Sequence, residues 1–157
     1  MKQKRVSESA IDRYPVQVFP SDLNSMGNVF GGRVLAIMDM VAAYVALSHT
    51  SMQCVTLAVD SVRFLAPAKQ GEILIFRASL NRVWRTSMEI GVKVYAENFK
   101  TQESRHVLSA YLTYVALDDS GRPASIETEL ILETDDQKRR YEEAELRRQT
   151  RLSSQRP

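Results

Sequence analysis

The sequence has one cysteine and only two histidines. A lone thiol, Cys54, closes no internal disulfide, and His49 and His106 are too few for a metal-ligand cluster, so neither a cystine scaffold nor a metal centre is expected. Cys54 stands beside a β-branched run and reads as a small packing residue. No stretch reaches the roughly 18 uncharged apolar residues of a membrane span. The N-terminal MKQKRVSESA is polar with no apolar run behind it, which is not a secretory signal, so a cytoplasmic protein with no membrane partner is expected. Net charge is also small, at +2. Much of the basic excess falls at the very end of the chain and forms no basic stripe interleaved with aromatics, so no nucleic-acid partner is expected.

What is present is material for one core. A chain of 157 residues, 44% apolar and 25% charged, fills one domain and is short for two. Tyr14 to Phe19 alternates as a short strand, with Pro15 suited to its start or to a sheet edge. Pro20 to Asn28 is dense in turn formers and leads through Val29 and Phe30 into Gly31-Gly32. Arg33 to Ser48 then reads as a helix apolar on nearly all faces, hence buried. Four long runs follow: Val55 to Leu65, Glu72 to Trp84, Ser87 to Glu97 and His106 to Leu117. In the third, Met88, Ile90, Val92 and Val94 face one way, while Glu89 and Lys93 face the other. One helix followed by four strands departs from βα alternation. It predicts an α+β fold in which a long antiparallel sheet curls around the helix. Five strands cover one side of such a helix, so a second copy of the chain is expected against the rest.

The segment Asp135 to Arg151 is different: acidic at its start, basic at its end and poor in apolar residues. It predicts a solvated, exposed or fraying helix, and residues 135–157 are set apart as a charged tail beyond a domain of residues 1–134. His49 reads as a C-terminal residue favoured by the helix dipole, Trp84 and Tyr95 as core or interface aromatics, and Asp60 as a sheet-edge hydrogen-bonding group.

Asp39 is the one acidic residue in the apolar helix. Burying a carboxylate costs several kcal/mol unless it is paired or neutralised, so Asp39 needs a partner or a task. Arg33 lies six positions away, on a different helical face. The neighbours Ala36, Ala42, Ala43 and Ala46 are small and leave room for a ligand or another backbone. Upstream, Gly31-Gly32 has no side chains to block approach to the unpaired N–H groups of the helix N-terminus. Asn24 offers a donor and an acceptor, while Asp22 suits an Asx-turn or capping role.

The stretch Pro20-Ser21-Asp22-Leu23-Asn24-Ser25-Met26-Gly27-Asn28-Val29-Phe30-Gly31-Gly32, followed by Met38-Asp39, resembles the hotdog-fold acyl-CoA thioesterases, in particular the bacterial short- and medium-chain and the brain-type acyl-CoA hydrolases. The resemblance runs from about Val16 to Asp118, through Val55 to Phe64 and Arg85 to Ile90. It implies a hotdog fold and hydrolysis of acyl-CoA to free CoA and a carboxylic acid, with no cofactor or metal. It also implies a homo-oligomer with the dimer as its unit, assembled as a hexamer, a trimer of dimers. It assigns Asp39 and Asn24 as the catalytic pair, contributed by two subunits; the open amides at Gly31 and Gly32 suit the oxygen that becomes negative. Arg85, Thr86 and Ser87 become the candidates for the CoA phosphates. Asp39 suits either a general base or a nucleophile. Two other functions fit such a pocket: an acyl-thioester dehydratase or hydratase, which needs a histidine beside the acid, and a non-catalytic acyl-CoA sensor.

Overall fold

The computed structural model describes residues 1–155. Two short elements open the chain, strand β1 (Gln3–Arg5) and helix α1 (Val6–Ser9). Strand β2 (Ile11–Gln17) follows, then a 3-10 turn (Pro20–Asp22) and the long helix α2 (Gly31–Thr50). The four expected strands come next: β3 (Gln53–Phe64), β4 (Ile73–Val83), β5 (Ser87–Glu97) and β6 (Ser104–Leu117). Strand β7 (Glu129–Ile131) pairs in parallel with β1, and helix α3 (Asp135–Ser154) ends the described chain. The last two residues of the expected charged tail lie outside the described residues.

The large sheet is antiparallel, in the order β2-β4-β5-β6-β3. Pro15 sits in β2, an edge strand, where its missing N–H removes little from the ladder. The alternation in β4, β5 and β6 turns Leu74, Phe76, Leu80, Met88, Ile90, Val94, Leu108 and Leu112 inward. There they enclose Val34, Ile37, Met38, Val41 and Val45 of α2. Helix α2 is long and apolar enough to cross a membrane, and here its buried side lies against the sheet. It ends where Ser51 takes a left-handed conformation, φ 57°, and donates to the Leu47 carbonyl.

The sheet covers one side of α2 only. Met40, Tyr44 and Leu47 form an open stripe, with Tyr44 49% exposed. Beside it runs β3, the other edge strand, which shows Val55, Leu57 and Val59 to solvent, with Leu57 58% exposed. Among the described residues this edge is unpaired, and it lies next to an apolar helical stripe.

The sequence reading of α3 needs correction, for the helix is docked. Its Arg147 guanidinium donates to both Glu89 carboxylate oxygens, at 2.7–3.3 Å, and lies 3.5 Å over the Tyr111 ring. Glu89 is fully buried and takes a further hydrogen bond from Asn81. Arg151 reaches Asp60 at 3.1 Å and Thr113 at 3.0 Å. Trp84 donates to Glu145 at 2.7 Å. The helix has no apolar docking stripe because ion pairs, with Ala144 buried, hold it to the outer face of the sheet. Asp60, on the edge strand β3, makes the sheet-edge hydrogen bond expected of it, and its partner is Arg151 of α3.

His49 also departs from the reading. It is fully buried, with Nε2 3.1 Å from the Thr128 carbonyl and Nδ1 without a partner. Burial pushes the imidazole below its ordinary value, so it sits neutral where a dipole-stabilised cation was expected.

Candidate active site

Asp39 lies on α2 at the margin of the open stripe, half-buried between exposed Ala36 and Met40 and half-buried Ala43. The fully buried carboxylate of the sequence reading is thus only partly covered within one chain. Its Oδ1 accepts from Thr56 Oγ1 at 2.7 Å and from the Tyr114 hydroxyl at 2.6 Å. The same hydroxyl is 2.7 Å from the Asp39 carbonyl. Among the described residues Oδ2 accepts no hydrogen bond. One oxygen is fixed by two hydroxyls and the other faces the open side, which is how a reactive carboxylate is aimed.

The two hydroxyls come from neighbouring strands. Thr56 on β3 and Tyr114 on β6 are cross-strand partners, and the register shifts between Thr56 and Ala58, a bulge directly beside the contact. Tyr114 is buried, and its burial, with the adjacent Asp39 carboxylate, pushes the phenol well above its ordinary value, so it stays a donor. Neither residue was singled out by the sequence. Both sit in alternating β-patterns that read as strand packing, and only an isolated acid on the facing helix hints that a polar partner should lie opposite.

The other expected residues gather at the entry to α2. Asn24 accepts with Oδ1 from Met26 N at 2.9 Å and from Asn28 N at 3.2 Å, so its oxygen shapes the loop and its amide NH₂ is left to donate. Asp22 caps the Phe19 N–H and holds Arg33 at 3.1 Å, the capping role expected of it. Gly31 and Gly32 form the first turn, where their N–H groups have no intrahelical acceptor, and none faces them among the described residues. The Phe64 ring lies over Gly31, 3.3 Å from where a Cβ would stand, and the Phe30 ring crowds Gly32 in the same way, at 2.5 Å. An open cleft of about 420 Å³, lined by Gly31, Val34, Phe64, Ala68 and Val107, adjoins this turn.

Within one chain these residues do not converge. Gly31 and Asp39 are eight residues apart on one helix, about 12 Å along its axis at the standard rise. A carbonyl in contact with Asp39 is out of reach of the same chain's Gly31 amide.

Arg85, Thr86 and Ser87 form the turn between β4 and β5, closed by Trp84 N to the Ser87 carbonyl at 2.7 Å. The turn begins three residues before Met88, the cross-strand partner of Tyr114, and so lies about 10 Å along the strand from the Asp39 contact. The Arg85 side chain is exposed and pairs with no carboxylate among the described residues. His49 is ten residues beyond Asp39 on α2, and His106 stacks on Tyr95 and meets Ser109, so neither histidine touches Asp39.

Comparison with known proteins agrees with this architecture. Residues 26–101 match the model of the thioesterase superfamily. An uncharacterized acyl-CoA thioester hydrolase of Bacillus subtilis, YkhA, is 36% identical over 110 residues, 70% of this chain and 64% of that protein, so the match spans just under two thirds of its length. An apo-hexameric acyl-CoA thioesterase superposes with a TM-score of 0.93 at 34% identity, covering 98% of this chain and 97% of that one. The acyl-CoA hydrolase of Staphylococcus aureus, solved with butyryl-CoA, CoA and CoA disulfide, gives a TM-score of 0.89 at 36% identity over 97% of this chain and 92% of its own. Variants of that enzyme have been solved with an asparagine, an aspartate or a threonine replaced by alanine. The three stand in the same order and at the same separations as Asn24, Asp39 and Thr56. With a hotdog sheet around α2 and these relatives over nearly its whole length, the chain belongs to the thioesterase superfamily, among its hotdog-fold acyl-CoA thioester hydrolases.

Proposed function

We propose that this protein hydrolyses acyl-CoA to free CoA and a carboxylic acid. The observation that carries the reading is the Asp39 carboxylate, with Oδ1 held by Thr56 and Tyr114 and Oδ2 open to a reactant. Acting as base, Oδ2 takes a proton from the water that attacks the thioester carbonyl. The oxygen that becomes negative faces the Gly31 and Gly32 N–H groups, and the departing CoA sulfur receives the proton. Acting as nucleophile, the same oxygen attacks the thioester carbon, the C–S bond breaks to release CoA thiolate, and water then opens the mixed anhydride to the acid and free Asp39, its proton passing to the thiolate. Asn24 contributes its amide NH₂ to the water or the carbonyl. Arg85, with Thr86 and Ser87, holds the CoA phosphates. The route uses no metal and no cofactor, CoA being part of the substrate.

The separation of Gly31 from Asp39 calls for two chains per site, Asp39 from one and the α2 entry, with Asn24, from the other. The open stripe of α2 and the free edge of β3 provide the surface for that pairing, and the hexameric relatives support further assembly into a trimer of dimers. The setting is the cytoplasm. A dehydratase reading is disfavoured because no histidine reaches Asp39.

The test is a steady-state panel of acyl-CoAs of increasing chain length, followed through free-thiol release. Turnover that saturates with acyl-CoA and is lost in Asp39→Asn supports the reading. Binding of acyl-CoA without thiol release replaces it with a sensor.

A further inference from the structure

The outer face of the sheet, away from α2, carries a second cavity of about 370 Å³. Two rows of residues cross its floor. Ser79, Gly91 and Tyr111 are aligned across β4, β5 and β6, and so are Arg77, Lys93 and Ser109. Helix α1, the start of β2 and the first turns of α3 form the walls, with Arg139 and Arg140 on the α3 side.

Arg77 and Lys93 face each other directly across the β4–β5 ladder. Like charges in that position are destabilising. Elsewhere on this face the two acids are matched, buried Glu89 by Arg147 and Asp60 by Arg151. Among the described residues Arg77 and Lys93 have no such partner. Asp136, whose carboxyl is held below its ordinary value chiefly by Arg139 and Arg140, is bridged by both and makes no ion pair with Lys93. Asp12, the one carboxylate lining the cavity, pairs with neither cation.

Small residues on three strands line this floor, with the Asn81 side chain over Gly91, and the exposed Arg77 and Lys93 stand beside each other among them. We propose that the cavity binds a phosphate-bearing polyanion, with Arg77 and Lys93 as its ligands and with Arg139 and Arg140, already paired to Asp136 and Glu143, on its α3 side. Its volume falls in the range of small-molecule sites. The sheet separates it from Asp39, so it is a site apart from the thioester chemistry. A bound polyanion supplies the charge that the ladder lacks.

Titration calorimetry and thermal melts with inorganic pyrophosphate test this, in the wild type, in Arg85→Ala, in Arg77→Gln/Lys93→Gln and in the two combined. The expected result is saturable binding that survives Arg85→Ala, weakens with added salt and is lost when Arg77→Gln/Lys93→Gln is combined with Arg85→Ala. Each single substitution should weaken it about tenfold or more, the worth of one charge-assisted contact. Without pyrophosphate the double variant should melt at or above the wild-type temperature, because the like-charge repulsion is gone. Absence of binding at millimolar pyrophosphate, binding unchanged in the double variant, or binding abolished by Arg85→Ala would each overturn the proposal.

Discussion

The Tyr114 hydroxyl grips Asp39 at two atoms, 2.6 Å from Oδ1 and 2.7 Å from the backbone carbonyl of the same residue. A single phenolic proton thus registers both the side chain and the helix turn that carries it against strand β6. Because burial and the neighbouring carboxylate hold the phenol above its ordinary value, the group remains a donor wherever the enzyme works.

Tyr114→Phe keeps the ring in the core and removes this donor. A hydrogen bond to a charged group is worth about 1.5–3 kcal/mol, so kcat should fall on the order of ten- to hundredfold. KM for acyl-CoA should hardly change, because the lost contact aims the carboxylate and does not touch CoA. Wild-type kcat in this variant would remove Tyr114 from the site.

Asp39→Asn keeps size and hydrogen bonding but neither accepts a proton nor attacks efficiently. We expect kcat to drop by about 10² to 10⁴, with folding and CoA binding retained by circular dichroism and calorimetry. Asn24→Ala should lose less, since the Gly31 and Gly32 amides still serve the oxyanion. Mixing the two inactive variants under conditions of subunit exchange should restore part of the activity. If exchange is shown by mass and no activity returns, the two residues act within one chain.

Arg85→Ala should act mainly on KM, raising it about tenfold or more, since a phosphate contact remote from the thioester binds ground and transition states alike. Acyl-pantetheine substrates, which lack the nucleotide, should barely distinguish the variant from the wild type. Equal losses on both substrates would place Arg85 elsewhere.

His49 predicts how stability depends on pH. Its folded-state value lies below the ordinary 6.5, chiefly through burial, so the unfolded chain takes up the proton first as pH falls. The contribution is complete above about pH 6.5 and is lost as the pH drops through that value toward the lower folded one. Melting temperatures recorded from about pH 8 to 5 should decline on the acid side, and His49→Gln should flatten that decline. An unchanged slope in His49→Gln would mean that other groups control it.

Much of the fold was legible because two periodicities are clean. The alternation of Met88, Ile90, Val92 and Val94 marked a sheet with one face in the core, and the apolarity around Asp39 marked a helix packed against it. Asp39 was visible for the same reason, as an exception to its surroundings. Tyr114 and Thr56 are exceptions to nothing in the sequence; they become site residues only when β3 and β6 are brought alongside α2. Docking of α3 was hidden differently. Glu89 alternates as a solvent-facing residue should, and its burial comes from a helix whose own composition suggests water.

Helix α2 bears Asp39 two turns beyond the glycines at its start, and under the shared-site arrangement proposed above, in a symmetric pair of chains, that spacing sets the genetics of the enzyme. A subunit lacking only Asp39, paired with an intact one, leaves one of the two sites whole. A subunit lacking both Asp39 and Asn24 spoils both, because it withholds its carboxylate from one site and its loop from the other. The same two lesions are therefore tolerable in trans and dominant-negative in cis, and a doubly altered allele should suppress the activity of a co-expressed normal copy.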